Sequence, residues 1–231
     1  MNFKGLIIVA GLVLAFTACS QNGVENVKLE TSEDSLAYAI GINTFRGVTQ
    51  QGWEIDPLAM AKGMTDAENG DAIFTDDDAN GYINMYAMKA QAELLKEENK
   101  DFIAENEAFL NENSTKEGII TTESGLQYKV VVMGDGEKPL ESDKVRVHYT
   151  GTLIDGTVFD SSVERGEPTE FPVNGVITGW IEGLQLMPVG SKFLFYIPQD
   201  LAYGVRSAAG GQIQPFATLV FEVELLDIIT E

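Results

Sequence analysis

The chain has 231 residues, is 44% hydrophobic, and sets 36 acidic side chains against 15 basic ones for a net charge of -21. That apolar content can bury a core in one or two domains, while the charge excludes nucleic acid as a partner, because phosphate binding needs clustered Lys and Arg. With one Cys and one His, an intrachain disulfide and a Cys/His zinc cluster are ruled out, and so is a Cys–His nucleophile pair unless those two residues meet.

Taken in chain order, the first feature is a leader. Lys4 is the single basic residue before a run, Leu6 to Ala18, that is apolar or small throughout. The run is too short to span a bilayer and has the layout of a signal peptide. Cys19 directly follows Phe16-Thr17-Ala18, which resembles a bacterial lipobox, with Phe16 where Leu, Val or Ile is usual. Residues 1–18 are therefore expected to be a signal peptide. Lipidated Cys19 would begin a polar tether over 19–30 at a membrane surface. The plainer alternative is a signal peptide with an incidental Cys.

Residues 31–118 read as helical. Thr31 or Ser32 opens the first helix, with Glu33 and Asp34 in its first turn, where the helix dipole favours anions. Leu36, Ala37, Ile40, Gly41 and Phe45 then form one apolar stripe. Asp56-Pro57 caps and starts a second helix with Leu58, Ala61 and Met64 on one side, and Asn69-Gly70 ends it. A third helix is predicted as one uninterrupted rod from Asp77 to Asn113, about 37 residues or about 55 Å at 1.5 Å per residue. Met88, Leu95, Phe102 and Phe109 recur along it every seven residues, as do Ile103 and Leu110. Such a rod suits a spacer or a dimer element.

Asp76, Asp78, Asn80 and Gly81 fall on the first positions of a calcium loop, but the bidentate acid such a loop needs is replaced by Ala87. The acidic residues at the start of the helix answer its dipole instead, and no metal or cofactor is expected.

From 119 to 231 the pattern changes to β-branched runs broken by Gly and Pro. Leu126 to Val132, Val145 to Leu153, Lys192 to Ile197 and Thr218 to Ile228 read as strands, with Asp155-Gly156 a hairpin signal. Ile177, Trp180, Ile181 and Leu184 lie at helical spacing. The expected class is α+β: a curved antiparallel sheet wrapped on one short helix, preceded by an all-α domain with a long connecting helix.

Several segments of this half are specific. They are Val147-His148-Tyr149-Thr150-Gly151, Gly156-Thr157-Val158-Phe159-Asp160-Ser161-Ser162, Val176 through Leu184, Ile197-Pro198, Leu201-Ala202-Tyr203-Gly204, and Ile213 through Leu225. In this order they resemble the FKBP-type peptidyl-prolyl cis/trans isomerases. The resemblance implies one proline-binding cleft walled by Tyr149, Phe159, Val176, Ile177, Trp180, Tyr203, Ile213 and Phe221, with Trp180 as the floor and Asp160 as its polar member. It further implies that the Ile177 N–H and the Tyr203 hydroxyl hold substrate carbonyls. Catalytic roles then fall to Asp160, Tyr149, Phe159 and Tyr203, and substrate binding to Val176, Ile177, Trp180, Ile213 and Phe221. Where the family commonly has an aromatic after the loop proline, this chain reads Pro168-Thr169, leaving that side of the cleft more open. His148, between Val147 and Tyr149 on a strand, reads as a hydrogen-bonded structural residue.

Less sharply, Ser35 through Gly41 and Ala61-Lys62-Gly63-Met64 resemble the amino-terminal dimerisation region of Mip-like and FkpA-like isomerases. That resemblance implies a homodimer, and with the lipobox-like Cys19 the protein is expected in the bacterial envelope, facing the periplasm and lipid-anchored to the outer membrane. It would act on proline-containing unfolded or nascent secreted proteins. A binding protein that grips such segments without turnover is the alternative. A fragment beginning near Ser124 is expected to be a monomer that keeps its activity on short peptides.

Overall fold

The computed structural model describes residues 27–229, so the apolar run and Cys19 lie outside the described residues. The chain divides into two compact units, one ending at Thr75 and the other beginning at Asp76.

In the first unit, helix α1 spans Ser32–Thr49. Its cap is reciprocal: the Asp34 N–H donates to Thr31 Oγ1 at 3.1 Å, and the Thr31 N–H donates to Asp34 Oδ2 at 2.9 Å. Two orphan donors of the first turn are thereby satisfied, and a carboxylate sits at the positive end of the dipole. Helix α2 spans Pro57–Asn69, starts under an Asp56 cap that accepts from the Leu58 N–H at 2.8 Å, and stops at left-handed Gly70. Neither helix buries a single residue in the isolated chain. Leu36, Ile40, Leu58 and Met64 all remain more than half exposed.

The second unit opens with α3 (Asp76–Glu98) and α4 (Lys100–Ser114). The expected uninterrupted rod is thus two helices meeting at Asn99, whose φ of -107° and ψ of 14° lie outside the α region. The backbone bonds persist through the junction, from the Asn99 N–H to the Leu95 carbonyl and from the Ile103 N–H to the Asn99 carbonyl. The Asn99 side chain also donates to the Leu95 carbonyl, at 2.8 Å. That carbonyl, shared between two donors, marks a kink rather than a break.

The sheet contains β1 (Ile119–Thr121), β2 (Gln127–Val132), β3 (Lys144–Leu153), β4 (Val158–Ser161), β5 (Thr169–Pro172), β6 (Lys192–Ile197) and β7 (Leu219–Ile229). All pairings are antiparallel, in the order β1-β2-β6-β7-β3-β4. One edge of β3 is shared, pairing with β5 through Lys144–Val147 and with β4 through Thr150–Thr152. The strands β1 and β5 were not expected from sequence, and β4 was announced only by the Asp155-Gly156 hairpin signal. Each is only three or four residues long, too short for an alternation to register, and takes its form from its neighbour.

Side chains alternate across the sheet with period two. Phe193, Phe195 and Ile197 of β6 are buried towards helix α6 (Thr178–Leu184), which contributes Trp180 and Leu184. A Cβ on Gly183 would come within 2.6 Å of Phe195 Cε1, so glycine there is what lets the helix lie against the strand. Tyr196 and its cross-strand neighbour Gln127 face the other way, and there they meet α4. Phe109 packs on Tyr196 with ring centroids 6.1 Å apart. The Gln127 side chain donates to the Leu110 carbonyl and accepts from Asn113, both at 2.9 Å. Helix α4 therefore packs on the sheet, within the compact unit that begins at Asp76. A fragment beginning near Ser124 lacks this helix and the contacts it makes with the sheet.

Candidate active site

A cleft of about 650 Å³ opens beside α6. Trp180 lies at its base, 4% exposed, because α6, capped by Ile177, turns its indole towards β3 and β7. The rings of Tyr149 and Phe221 stand nearly perpendicular to that indole, at 5.3 and 5.0 Å with interplanar angles of 89° and 86°. Phe159 meets Phe221 edge to face at 5.4 Å. These are the arrangements in which the positive edge of one ring meets the negative face of another. A residue without a side chain makes room for them: a Cβ on Gly151 would lie 2.6 Å from ring atoms of both Phe159 and Phe221.

Every residue anticipated for the site lines this one cleft: Tyr149, Phe159, Asp160, Val176, Ile177, Trp180, Tyr203, Ile213 and Phe221. They come from β3, β4, the turn before α6, α6 itself, the loop 198–218 and β7. That loop is closed on itself by the Ala208–Ile213 bridge and by a 2.7 Å bond from the Phe216 N–H to the Gly204 carbonyl. Among the described residues, no backbone bond engages the Ile177 N–H.

Sequence reasoning passed over several lining residues, Phe171 and Arg206 among them, and also Arg165, which lies beside the lining and bonds to Asp160. Phe171 lines the cleft and packs on Trp180 at 5.4 Å. It lies two residues beyond Thr169 on β5, hence on the same face, and supplies an aromatic wall on the side expected to be open. The signal that could have found it is the alternation Thr169, Phe171. Arg165 sits on the single-turn helix α5 (Ser162–Arg165), which is capped by Ser161 and ended by left-handed Gly166.

Arg165 completes a polar corner. Its Nη1 and the Tyr149 hydroxyl each donate to one oxygen of Asp160. Its Nη2 donates to the Tyr149 hydroxyl at 3.1 Å and to Thr169 Oγ1 at 3.4 Å. Burial works to raise the Asp160 carboxyl, but the hydrogen bonds from Tyr149 and Arg165 and the guanidinium charge outweigh it, and the group titrates below the usual carboxylate range. Burial, then the hydrogen bond to Asp160, push the Tyr149 hydroxyl up. At neutral pH the corner is a carboxylate, a neutral phenol and a guanidinium. His148 lies outside the cleft lining, with Nδ1 3.1 Å from Ser162 Oγ. Asp76, Asp77 and Asp78 form the first turn of α3.

The cleft thus offers an aromatic box, the Ile177 N–H and a carboxylate that is already neutralised. Among the described residues that line it, none is a Ser, Cys, His or Lys. This composition suits rotation about a bond and not its cleavage.

Residues 135–226 match the family described as FKBP-type peptidyl-prolyl cis-trans isomerase. Residues 33–130 match the domain amino terminal to FKBP-type peptidyl-prolyl isomerase. The FKBP-type 22 kDa peptidyl-prolyl cis-trans isomerase of Escherichia coli K12 is 50% identical over 202 residues, covering 87% of this chain and 97% of that protein. The outer membrane protein MIP of Legionella longbeachae is 42% identical over 232 residues, covering 97% and 98%. The crystal structure of FkpA from Escherichia coli aligns with a TM-score of 0.55 at 34% identity, covering 87% of this chain and 98% of that one. The chain belongs to the FKBP-type peptidyl-prolyl cis-trans isomerases, in the branch that carries an amino-terminal helical domain, and it is an enzyme of that activity.

Proposed function

We propose that isomerisation takes place in the cleft over Trp180, with Tyr149, Phe159, Asp160 and Tyr203 acting on the substrate amide and Val176, Ile177, Trp180, Ile213 and Phe221 gripping the proline. The observation that carries this reading is the convergence of these side chains, from separate elements, on one aromatic box. Rotation about a peptide bond faces a barrier of about 18–20 kcal/mol because amide resonance must be broken. Water favours the planar, more polar amide over the twisted one. An apolar box removes that preference, and X-Pro is the bond whose cis and trans forms lie within about 1 kcal/mol. The Ile177 N–H and the Tyr203 hydroxyl hold the flanking carbonyls, so that one end of the amide stays fixed while the other turns. The substrates are proline-containing unfolded or nascent proteins, whose folding otherwise waits tens of seconds on this step.

The same proposal places the protein at the bacterial envelope, facing the periplasm, lipid-anchored through Cys19 to the outer membrane, and dimeric through α1 and α2. The apolar run before Cys19 and the name of one relative, an outer membrane protein, support the location. The exposed stripes of α1 and α2 support the dimer.

A protease-coupled proline-peptide assay tests the site. Phe159→Ala, in a protein that stays folded, is expected to lose at least about tenfold in kcat/KM; parental turnover in that variant would defeat the cleft assignment. Cys19→Ala should move the protein from the membrane to the soluble fraction and abolish incorporation of labelled fatty acid. A parent without lipid would defeat the anchor.

A further inference from the structure

Three asparagines recur every seven residues along the third helical segment, at 99, 106 and 113. The first makes the kink. The other two are 3% and 2% exposed, on the face of α4 that carries Phe102 and Phe109. Buried amides are retained only where their hydrogen bonds are made, and the two make very different ones. Asn113 donates to Gln127 on β2, a strand with no residue in the cleft. Asn106 accepts, through Oδ1, the backbone N–H of Thr218 at 2.8 Å, across 112 positions of sequence.

Thr218 is 2% exposed and stands between the cleft loop and β7. Its N–H lies one residue before the ladder begins, at Leu219, and Asn106 gives it the partner the ladder does not. Two residues earlier, buried Phe216 holds a left-handed φ of 66°, and its N–H closes the loop onto Gly204, next to Tyr203. Three residues after Thr218 comes Phe221, a cleft wall. The orientation of Asn106 is itself fixed, because its Nδ2 donates to the Phe102 carbonyl at 2.8 Å. Only the oxygen is left to face Thr218.

We propose that Asn106 is a positioning residue for isomerisation. It pins the base of the loop 198–218 and so sets Tyr203 and Ile213 against the proline ring, which makes α4 part of the catalytic apparatus. This inference rests on the cleft assignment above. Loss of the pin frees the Thr218 N–H and the strained Phe216 turn, and the loop samples positions in which its walls no longer close on substrate.

The test uses the full chain, with kcat and KM measured separately on a short proline peptide well below the melting temperature. Asn106→Ala is expected to lose about fivefold in kcat/KM, mostly as a rise in KM. Faster amide exchange should be confined to residues 198–218. Asn113→Ala removes the neighbouring buried bond on the same helix and should lower the melting temperature while leaving kcat/KM within about twofold. If Asn106→Ala does not fold, the parent still decides: its Thr218 amide should exchange as slowly as those of β7, and fast exchange overturns the proposal. So does parental kcat/KM in Asn106→Ala, or an equal loss in Asn113→Ala. Phe159→Ala, assayed alongside, separates the two readings, because full activity there removes the cleft assignment itself whatever Asn106 does.

Discussion

Asp160 carries the only negative charge in the cleft lining, and its environment decides what it can do there. Its carboxyl is held below its ordinary value of 3.8, so its ionised contacts are complete above that value and are lost only as pH falls through the lower, folded one. With 41% of the side chain exposed, the effect on stability is screened and small. The expected result is a carboxyl titration, followed by NMR, with a midpoint below 3.8, and isomerase activity that is flat from about pH 8 to about pH 5. An inflection near neutrality would assign a different group to the chemistry. Asp160→Ala removes the acceptor that Tyr149 and Arg165 share and should lower kcat/KM by about tenfold in a folded protein. Gly151→Ala tests the aromatic packing: the added methyl must displace Phe159 or Phe221, at a cost of about 1–3 kcal/mol in chemical denaturation together with lost activity. At this scale the sequence was most legible, because cleft residues are aromatic or conformationally special and fall in a recognisable order. Arg165 escaped because nothing in a lone arginine five positions after Asp160 shows that a one-turn helix will fold it back.

The elements divide by how their form is determined. Helices α1 and α2 follow from local chemistry, since the Thr31–Asp34 box, the Asp56-Pro57 start and the Gly70 stop are all written within a few residues. The strands β4 and β5 exist because β3 offers each of them half of one edge. Helix α4 shows the limit of periodicity. A seven-residue repeat of Phe102, Phe109, Asn106 and Asn113 reads equally well as a coiled-coil seam, and only the partners of the two amides show that its face belongs to the sheet. A fragment beginning near Ser124 therefore exposes what Phe102 and Phe109 cover. It should be about 3 kcal/mol less stable to urea than one beginning at Asn99, at about 1.5 kcal/mol for each partly buried ring. Equal midpoints and slopes for the two fragments would mean that α4 adds nothing to the fold.

For the whole molecule, the open question is what covers α1 and α2. Helices of 18 and 13 residues are marginal alone, because most helix stability comes from packing an apolar face. A second copy presenting the same stripes would complete a core with two-fold symmetry, each large side chain contributing about 1.5–3 kcal/mol. Light scattering on the chain from residue 20 should give a dimer, and Leu36→Glu with Ile40→Glu should give monomers with unchanged turnover of short peptides but poorer refolding of proline-limited proteins. Parental association in that double variant would place the interface elsewhere. The sequence by itself determined the α+β class, the caps, the strands β6 and β7 and nine of the side chains that line the cleft, because these depend on local geometry, on residue pattern or on a recognisable order of motifs. Tertiary structure decided the kink at Asn99, the attachment of α4 to the sheet, the Arg165 corner and the Asn106 pin on the cleft loop. Each of these is a hydrogen bond or a packing contact whose partner is chosen by the fold, and the buried polar group that needs it looks, in one dimension, like any surface residue.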